Sequence, residues 1–267
     1  MAELDRRSIL AAGGLIGLGA VLAACSGQPS RTATSSASTG TASPSASAAS
    51  TSATPPPPSP VDLLDGAGTC TLTPETIAGP TWFDAHAVRT DIRDGRPGTA
   101  LDLAFRVERT GACTPVPDAV VDLWQCDAQG IYSGFARAAP GQGGGAGGVD
   151  EYGDKESAAT TPERFLRGTQ VTDAGGVVRF ATVYPGWYPT RTAHLHLKVH
   201  LDGATVLTGQ LFFDDAVTDG VYAADPYAQH AGRDTRNDRD PFFSPAALLR
   251  LAPDGARWLG ALVLGVP

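Results

Sequence analysis

His194-Leu195-His196 sets two imidazoles two residues apart, just after Tyr184-Pro185-Gly186-Trp187-Tyr188-Pro189-Thr190-Arg191. In extended chain, side chains two positions apart share a face, so the pair is a ready chelate for a metal ion. A zinc or ferrous site would add a further histidine or a carboxylate, for which Asp214 and Asp215 stand at the end of the next apolar run. The residues that crowd this stretch are tyrosines instead. A phenolate is a hard, strongly donating anion that favours ferric iron, and two phenolates offset most of the ferric charge. Two neutral imidazoles would complete such a set.

The elements that must carry these residues are strands. His194–Leu201 alternates without a break, placing Leu195, Leu197, Val199 and Leu201 opposite His194, His196, Lys198 and His200. His200 lies farther along the same face and is expected at the surface. Leu101–Glu108, Ala119–Cys126, Gly168–Val171, Val177–Val183, Val206–Phe213 and Trp258–Val266 also read as strands. Thr172–Gly176 reads as the hairpin between Gly168–Val171 and Val177–Val183, and Asp202-Gly203 as the turn before Val206. Ala246–Leu251 reads as a short helix. Gly141–Gly148 reads as a mobile surface loop, because it offers few side chains to pack. Short strands between Gly/Pro turns, with no alternation of strand and helix, predict an all-β antiparallel β-sandwich.

Ahead of the sandwich, residues 1–24 read as an export signal. Arg6-Arg7 precede the apolar run Ile9–Ala24, which is short and rich in Gly and Ala for a membrane span. The arginine pair fits the twin-arginine type, whose route carries folded proteins. Leu22-Ala23-Ala24-Cys25 resembles a lipobox, which would make Cys25 a lipid anchor at the cell surface. Residues 25–60 are Ser, Thr, Ala and Pro almost throughout, too poor in apolar surface to fold, and read as a tether. The folded domain is expected over 61–267, about 200 residues around one core. The net charge of −8, with no basic stripe, argues against nucleic acid as a partner. Of the four cysteines, Cys70, Cys113 and Cys126 are expected to form one disulfide and leave one thiol. Cys113 and Cys126 are awkwardly placed to pair with each other, so Cys70 is the expected partner of one of them.

Pro185-Gly186-Trp187-Tyr188-Pro189, followed by Arg191-Thr192-Ala193-His194-Leu195-His196, resembles the signature of the intradiol ring-cleavage dioxygenases, a family that includes protocatechuate and catechol dioxygenases. Val121–Ser133 resembles a second family segment closely. Cys70–Glu75 with Gly79-Pro80, and Asp94–Gly98 more loosely, add to a resemblance that spans residues 70–227. It implies a non-haem Fe(III) enzyme that cleaves a catechol between its two hydroxyls with O2, giving a muconate-type diacid. Its metal ligands fall on Tyr132, Tyr188, His194 and His196, with Tyr132 ending the pattern W-x-x-x-A-x-G-x-Y. Tyr188 matches the ligand that yields to substrate and helps take its proton. Arg191 matches the family's active-site arginine, and Gln210 its substrate-orienting glutamine. Tyr184 competes with Tyr188 for the second phenolate and is expected to pack as core. The connection from Tyr188 to His194 is shorter than in the well-known ring-cleaving enzymes and resembles a secreted branch. Two other readings remain at this level: a non-catalytic surface lipoprotein with a β-sandwich, and an Fe(II) or Zn(II) enzyme using His194, His196 and Asp214.

Overall fold

Leu101, Leu103, Phe105 and Val107 occupy alternate positions of β1 (Ala100–Arg109) and are buried together in the main core. That row builds the first sheet. β7 (Val177–Val183) pairs antiparallel with β1, placing Phe180 opposite Leu103 and Val178 opposite Phe105. On the other edge β11 (Arg257–Val266) runs parallel to β1, and β10 (Arg250–Asp254) pairs antiparallel with β11. β2 (Thr114–Pro115) adds a short pairing at the end of β1. Short strands between Gly/Pro turns, with no strand–helix alternation, predict antiparallel neighbours throughout, and the β1–β11 pair is an exception. Periodicity, however, carries no strand direction, and the rest of the domain supplies the long connection that parallel pairing needs.

The second sheet runs in the order β6 (Arg167–Val171), β3 (Val120–Trp124), β8 (His194–Leu201), β9 (Ala204–Phe212), antiparallel throughout. Asp202 and Gly203 both take positive φ, 52° and 76°, and close β8 onto β9 as a two-residue hairpin. Thr172–Gly176 does something else. β6 pairs with β3 and β7 with β1, so this turn carries the chain from one sheet to the other. Thr172 ties it to the start of β3, its Oγ1 donating to Val116 O at 2.7 Å and accepting from Ala119 N at 2.8 Å.

The structure, a computed structural model, describes residues 58–67, 71–135 and 144–267. The expected signal at 1–24, Cys25, the tether up to residue 57 and Cys70 lie outside them. Ser59 already caps a 3-10 turn over Pro60–Leu64, and Leu64 packs on the outer face of the first sheet with Ala104, Ala261 and Val263. Part of the Gly-rich insert is ordered as a hairpin, β4 (Ala146–Val149) with β5 (Lys155–Ser157), rather than as a mobile loop. Gly147 lets the two backbones meet, since a Cβ there would stand 2.9 Å from Glu156 O. The expected helix at Ala246–Leu251 is a 3-10 turn over Pro245–Ala247 that leads into β10. Leu249 N donates to Phe212 O at 2.9 Å, so this segment is used in pairing. A helix forms instead at α1 (Asp215–Tyr222), capped by Asp214. Cys113 is disulfide-bonded, with its partner outside the described residues, while Cys126 is a buried free thiol.

β8 is buried on both faces. Leu195, Leu197 and Val199 join the core between the sheets. His194, His196, Lys198 and His200 face the other way and are buried as well. His200 is therefore not at the surface. Its Nε2 lies 2.8 Å from Asp122 Oδ2, its Nδ1 lies 2.8 Å from Thr205 Oγ1, and its ring stacks on Tyr152 at 3.7 Å. Asp154, just before β5, binds Lys198 Nζ, which also sits 4.4 Å above the Trp82 ring. The insert is thereby pinned over the second sheet. Leu197→Ala should cost about 2–5 kcal/mol of stability in denaturant unfolding, whereas the exposed Val149→Ser should change it by less than about 0.5 kcal/mol. Equal effects would contradict this placement of the core.

Candidate metal centre

The register of the second sheet sets the floor of the site. His196 stands opposite Trp124 on β3 and opposite Gln210 on β9, and His194 stands opposite Phe212. Cross-strand partners share a face, so Trp124, His196 and Gln210 form one row. The Trp124 and His196 rings stack at 4.9 Å with 11° between planes.

Two loops bring in the tyrosines. After β3 the chain turns at Asp127, whose Oδ1 accepts from Gln129 N at 2.9 Å and Ile131 N at 3.0 Å. Gly130 takes φ 80° to complete the turn, and Tyr132 is sent back over the sheet. The second loop leaves β7 through Tyr184-Pro185-Gly186. Gly186 N donates to Asp127 O at 3.0 Å, docking this loop on the first one. A Cβ on Gly186 would lie 2.6 Å from both Asp127 O and Ala128 O, so only glycine allows the approach. Arg191 N donates to Tyr188 O at 3.1 Å and Thr190 takes φ 72°, folding the short connection to His194 into a tight turn.

Four donor atoms meet as a result. His194 Nε2 lies 3.1 Å from His196 Nε2, 3.1 Å from Tyr188 Oη and 3.3 Å from Tyr132 Oη, and His196 Nε2 lies 3.0 Å from Tyr132 Oη. A cation about 2.0–2.2 Å from each N or O donor sets neighbouring donors about 3 Å apart, so this cluster fits one. His194 Nδ1 donates to Thr192 O at 2.7 Å, which leaves the Nε2 lone pair turned toward the cluster. His196 Nδ1 has no hydrogen-bond partner among the described residues, and the Trp124 stack holds that ring instead.

The surroundings are dry and aromatic. Trp82, Phe83, Trp124, Cys126, Tyr132, Phe135 and Tyr188 form a separate buried cluster. Burial holds His194 near a pKa of about 3, with the Arg191 charge adding to the effect, and burial likewise holds His196 well below its ordinary value. Burial pushes Tyr188 up to about 12 against the pull of Arg191, and raises Tyr132 strongly, helped by Tyr188. Without a cation the four groups are thus neutral; a bound cation inverts that preference and turns phenols into phenolates.

The other candidates lie elsewhere. Tyr184 is in the main core, its Oη 2.8 Å from Thr218 Oγ1 and its ring against Phe213. Asp214 is not a third ligand. Its Oδ1 accepts from Ala216 N at 2.8 Å and Val217 N at 3.1 Å, because the start of α1 needs acceptors for its free amides. Among the described residues no three His, Cys, Asp or Glu side chains gather as a metal would require, so a site here draws on phenols. Arg191 and Gln210 flank the cluster: Arg191 Nη1 is 3.4 Å from Tyr188 Oη, and Nη2 donates to Gln210 Oε1.

No protein-family model matches the chain. The solved structure of an intradiol ring-cleavage dioxygenase from Tetranychus urticae is similar to it with a TM-score of 0.65 and 32% sequence identity, over 74% of this chain and 94% of that one. The chain belongs to the intradiol ring-cleavage dioxygenase family. It is 29% identical over 150 residues to the chlorocatechol 1,2-dioxygenase of Rhodococcus opacus, a match covering 53% of this chain and 56% of that protein. To the protocatechuate 3,4-dioxygenase beta chain of Burkholderia cepacia it is 28% identical over 157 residues, covering 55% and 57%. The chain thus spans about half the length of the curated relatives it matches.

Three residues beside the cluster carry no local signal of their role. Trp124 is legible only as part of a motif, and its stacking on His196 needs the register of β3 on β8. Arg167 is buried, its Nε donating to Ser133 Oγ at 2.9 Å and its Nη2 to Thr81 O at 2.8 Å, so it braces the residue beside Tyr132. Asp240 accepts from Arg191 Nε at 2.9 Å. Both charged residues look like ordinary surface positions in sequence. Gly186→Ala should drive the two tyrosine loops apart. Ferric iron added as a probe and read by chelator competition should then bind about tenfold or more weakly than to the wild type. Unchanged affinity would contradict the loop docking.

Proposed function

We propose that this chain holds ferric iron between Tyr132, Tyr188, His194 and His196 and cleaves catechol-type rings between their two hydroxyls. One O2 adds to one catechol, both oxygen atoms entering the product as a muconate-type diacid, so no further reductant is consumed. The observation that carries this reading is the meeting of two phenol oxygens and two imidazole nitrogens, His194 Nε2 lying 3.1–3.3 Å from the other three and His196 Nε2 3.0 Å from Tyr132 Oη. A tyrosine-rich donor set favours the ferric state, and family membership supports the reaction class.

A ferric ion bound there would act as a Lewis acid on the two deprotonated oxygens of the substrate and draw electron density from the ring. Tyr188 Oη would take a proton from an incoming hydroxyl, with Arg191 Nη1 at 3.4 Å to steady the charge as it moves. Gln210 is fixed at both ends, its Nε2 donating to Ile77 O at 3.1 Å and its Oε1 accepting from Arg191, so its amide gives the substrate side of the pocket a set orientation. The aromatic cluster around Tyr132 and Tyr188 keeps bulk water away from these charges.

Iron-loaded protein incubated with catechol and O2 should take up one O2 per catechol and build up ultraviolet absorbance of a muconate. Tyr188→Phe should lose part of the red-brown tyrosinate band and slow turnover by on the order of 100-fold. A colourless, iron-replete wild type, or no oxygen uptake, would sink the reading.

Export and a lipid anchor at Cys25 belong to the same proposal, supported by Arg6-Arg7 and Leu22-Ala23-Ala24-Cys25 alone. Metal loading before folded export would shield the site from competing metals outside. In a bacterial host, full-length wild type should fractionate with membranes and Cys25→Ser should not; identical fractionation would count against the anchor.

A further inference from the structure

Asp240 stands past the stretch in which the chain resembles its family by motif, yet it reaches the centre of the site. A 3-10 turn over Asn237–Arg239 delivers it, and its side chain is completely buried. Its Oδ1 accepts from Phe242 N at 3.0 Å. Its Oδ2 accepts from Arg191 Nε and from Thr192 N, each at 2.9 Å. The carboxylate is therefore fully engaged and cannot swing. Neighbours keep the turn in place: Asn237 Nδ2 donates to Phe213 O at 2.8 Å, and Thr192 Oγ1 donates to Asn237 Oδ1 at 3.0 Å.

A guanidinium is planar, so a bond at Nε fixes where the other two nitrogens point. With Nε on Asp240 and the plane resting on Phe242, its carbon 4.8 Å from the ring centroid, Nη1 faces Tyr188 and Nη2 faces Gln210. The same carboxylate oxygen holds Thr192 N, and Thr192 O is the acceptor that sets the His194 ring. We propose that Asp240 is the positioning residue of this site, aiming Arg191 at the substrate position beside Tyr188. The proposal rests on the ferric dioxygenase reading for the use to which Arg191 is put, but the contact itself does not depend on metal.

The test therefore has two arms. In metal-free protein, the Arg191 Nε–H resonance is assigned by its disappearance in Arg191→Lys. It should be protected from exchange in wild type and lose that protection in Asp240→Asn; an unchanged resonance would overturn the contact. In iron-loaded protein, Asp240→Asn should keep wild-type iron content, lower kcat by about 10–100-fold and change KM for catechol far less. Arg191→Gln should show a comparable loss, and the double variant should be no worse than Arg191→Gln alone. Losses that multiply in the double variant would overturn the proposal, as would a variant with lowered thermal stability and intact kcat. If Asp240→Asn does not fold, Arg191→Lys decides: it keeps the charge and lacks the Nε edge, so wild-type kcat there would also refute the idea. Absence of ring cleavage by the wild type would instead defeat the activity reading, leaving the resonance experiment to judge Asp240.

Discussion

Burial of β8 on both faces is the constraint from which the rest of the site follows. Its leucines and Val199 are drawn into the core between the sheets, and that forces His194, His196, Lys198 and His200 onto the opposite face. A buried polar group without a partner costs about 1–3 kcal/mol, so each of the four demands something to cover or bind it. Thr192 O serves His194, the Trp124 ring covers His196, Asp154 and the Trp82 ring hold Lys198, and Asp122 with Thr205 holds His200. Trp124, Asp122 and Thr205 come from the neighbouring strands β3 and β9, and loops above the sheet provide Thr192, Asp154 and Trp82.

Within that cover the charges are arranged sparingly. The four converging donors are neutral as they stand, held so by burial. The cations nearby are spoken for: Arg191 is paired with Asp240, and Arg167 is spread over the carbonyls of Thr81 and Ser133. A dry pocket with neutral donors suits a highly charged cation, because the phenols can surrender their protons to it.

Connections that the chain makes late matter as much as the signature stretch. The segment from Arg233 to Phe243 brackets residues 190–194 through Arg233, Asn237 and Asp240, which bond to Thr192 and Arg191. Gly186 plays the complementary part on the other side, letting the Tyr188 loop dock on the turn that carries Tyr132. The tight turn before His194 is held from both sides.

How much of this could be read beforehand depends on the range of the interaction. Period-two alternation is local, so the strands, the sandwich and the shared face of His194 and His196 were legible from residue order alone. The two tyrosines were legible through motif spacing. Strand direction, sheet assignment and burial are not local. The parallel partner of β1, the turn at Thr172–Gly176 that crosses between sheets, and the enclosure of His200 each depend on a segment far away in the chain. Asp214 was a plausible ligand by type, and only the helix that begins beside it revealed its use as a cap. By itself the sequence determined that His194 and His196 lie side by side on one face of a strand. The tertiary structure decided that the distant Tyr132 joins them beside the nearby Tyr188 and that Asp240 reaches the arginine, because those contacts arise only once separate loops are packed on one sheet.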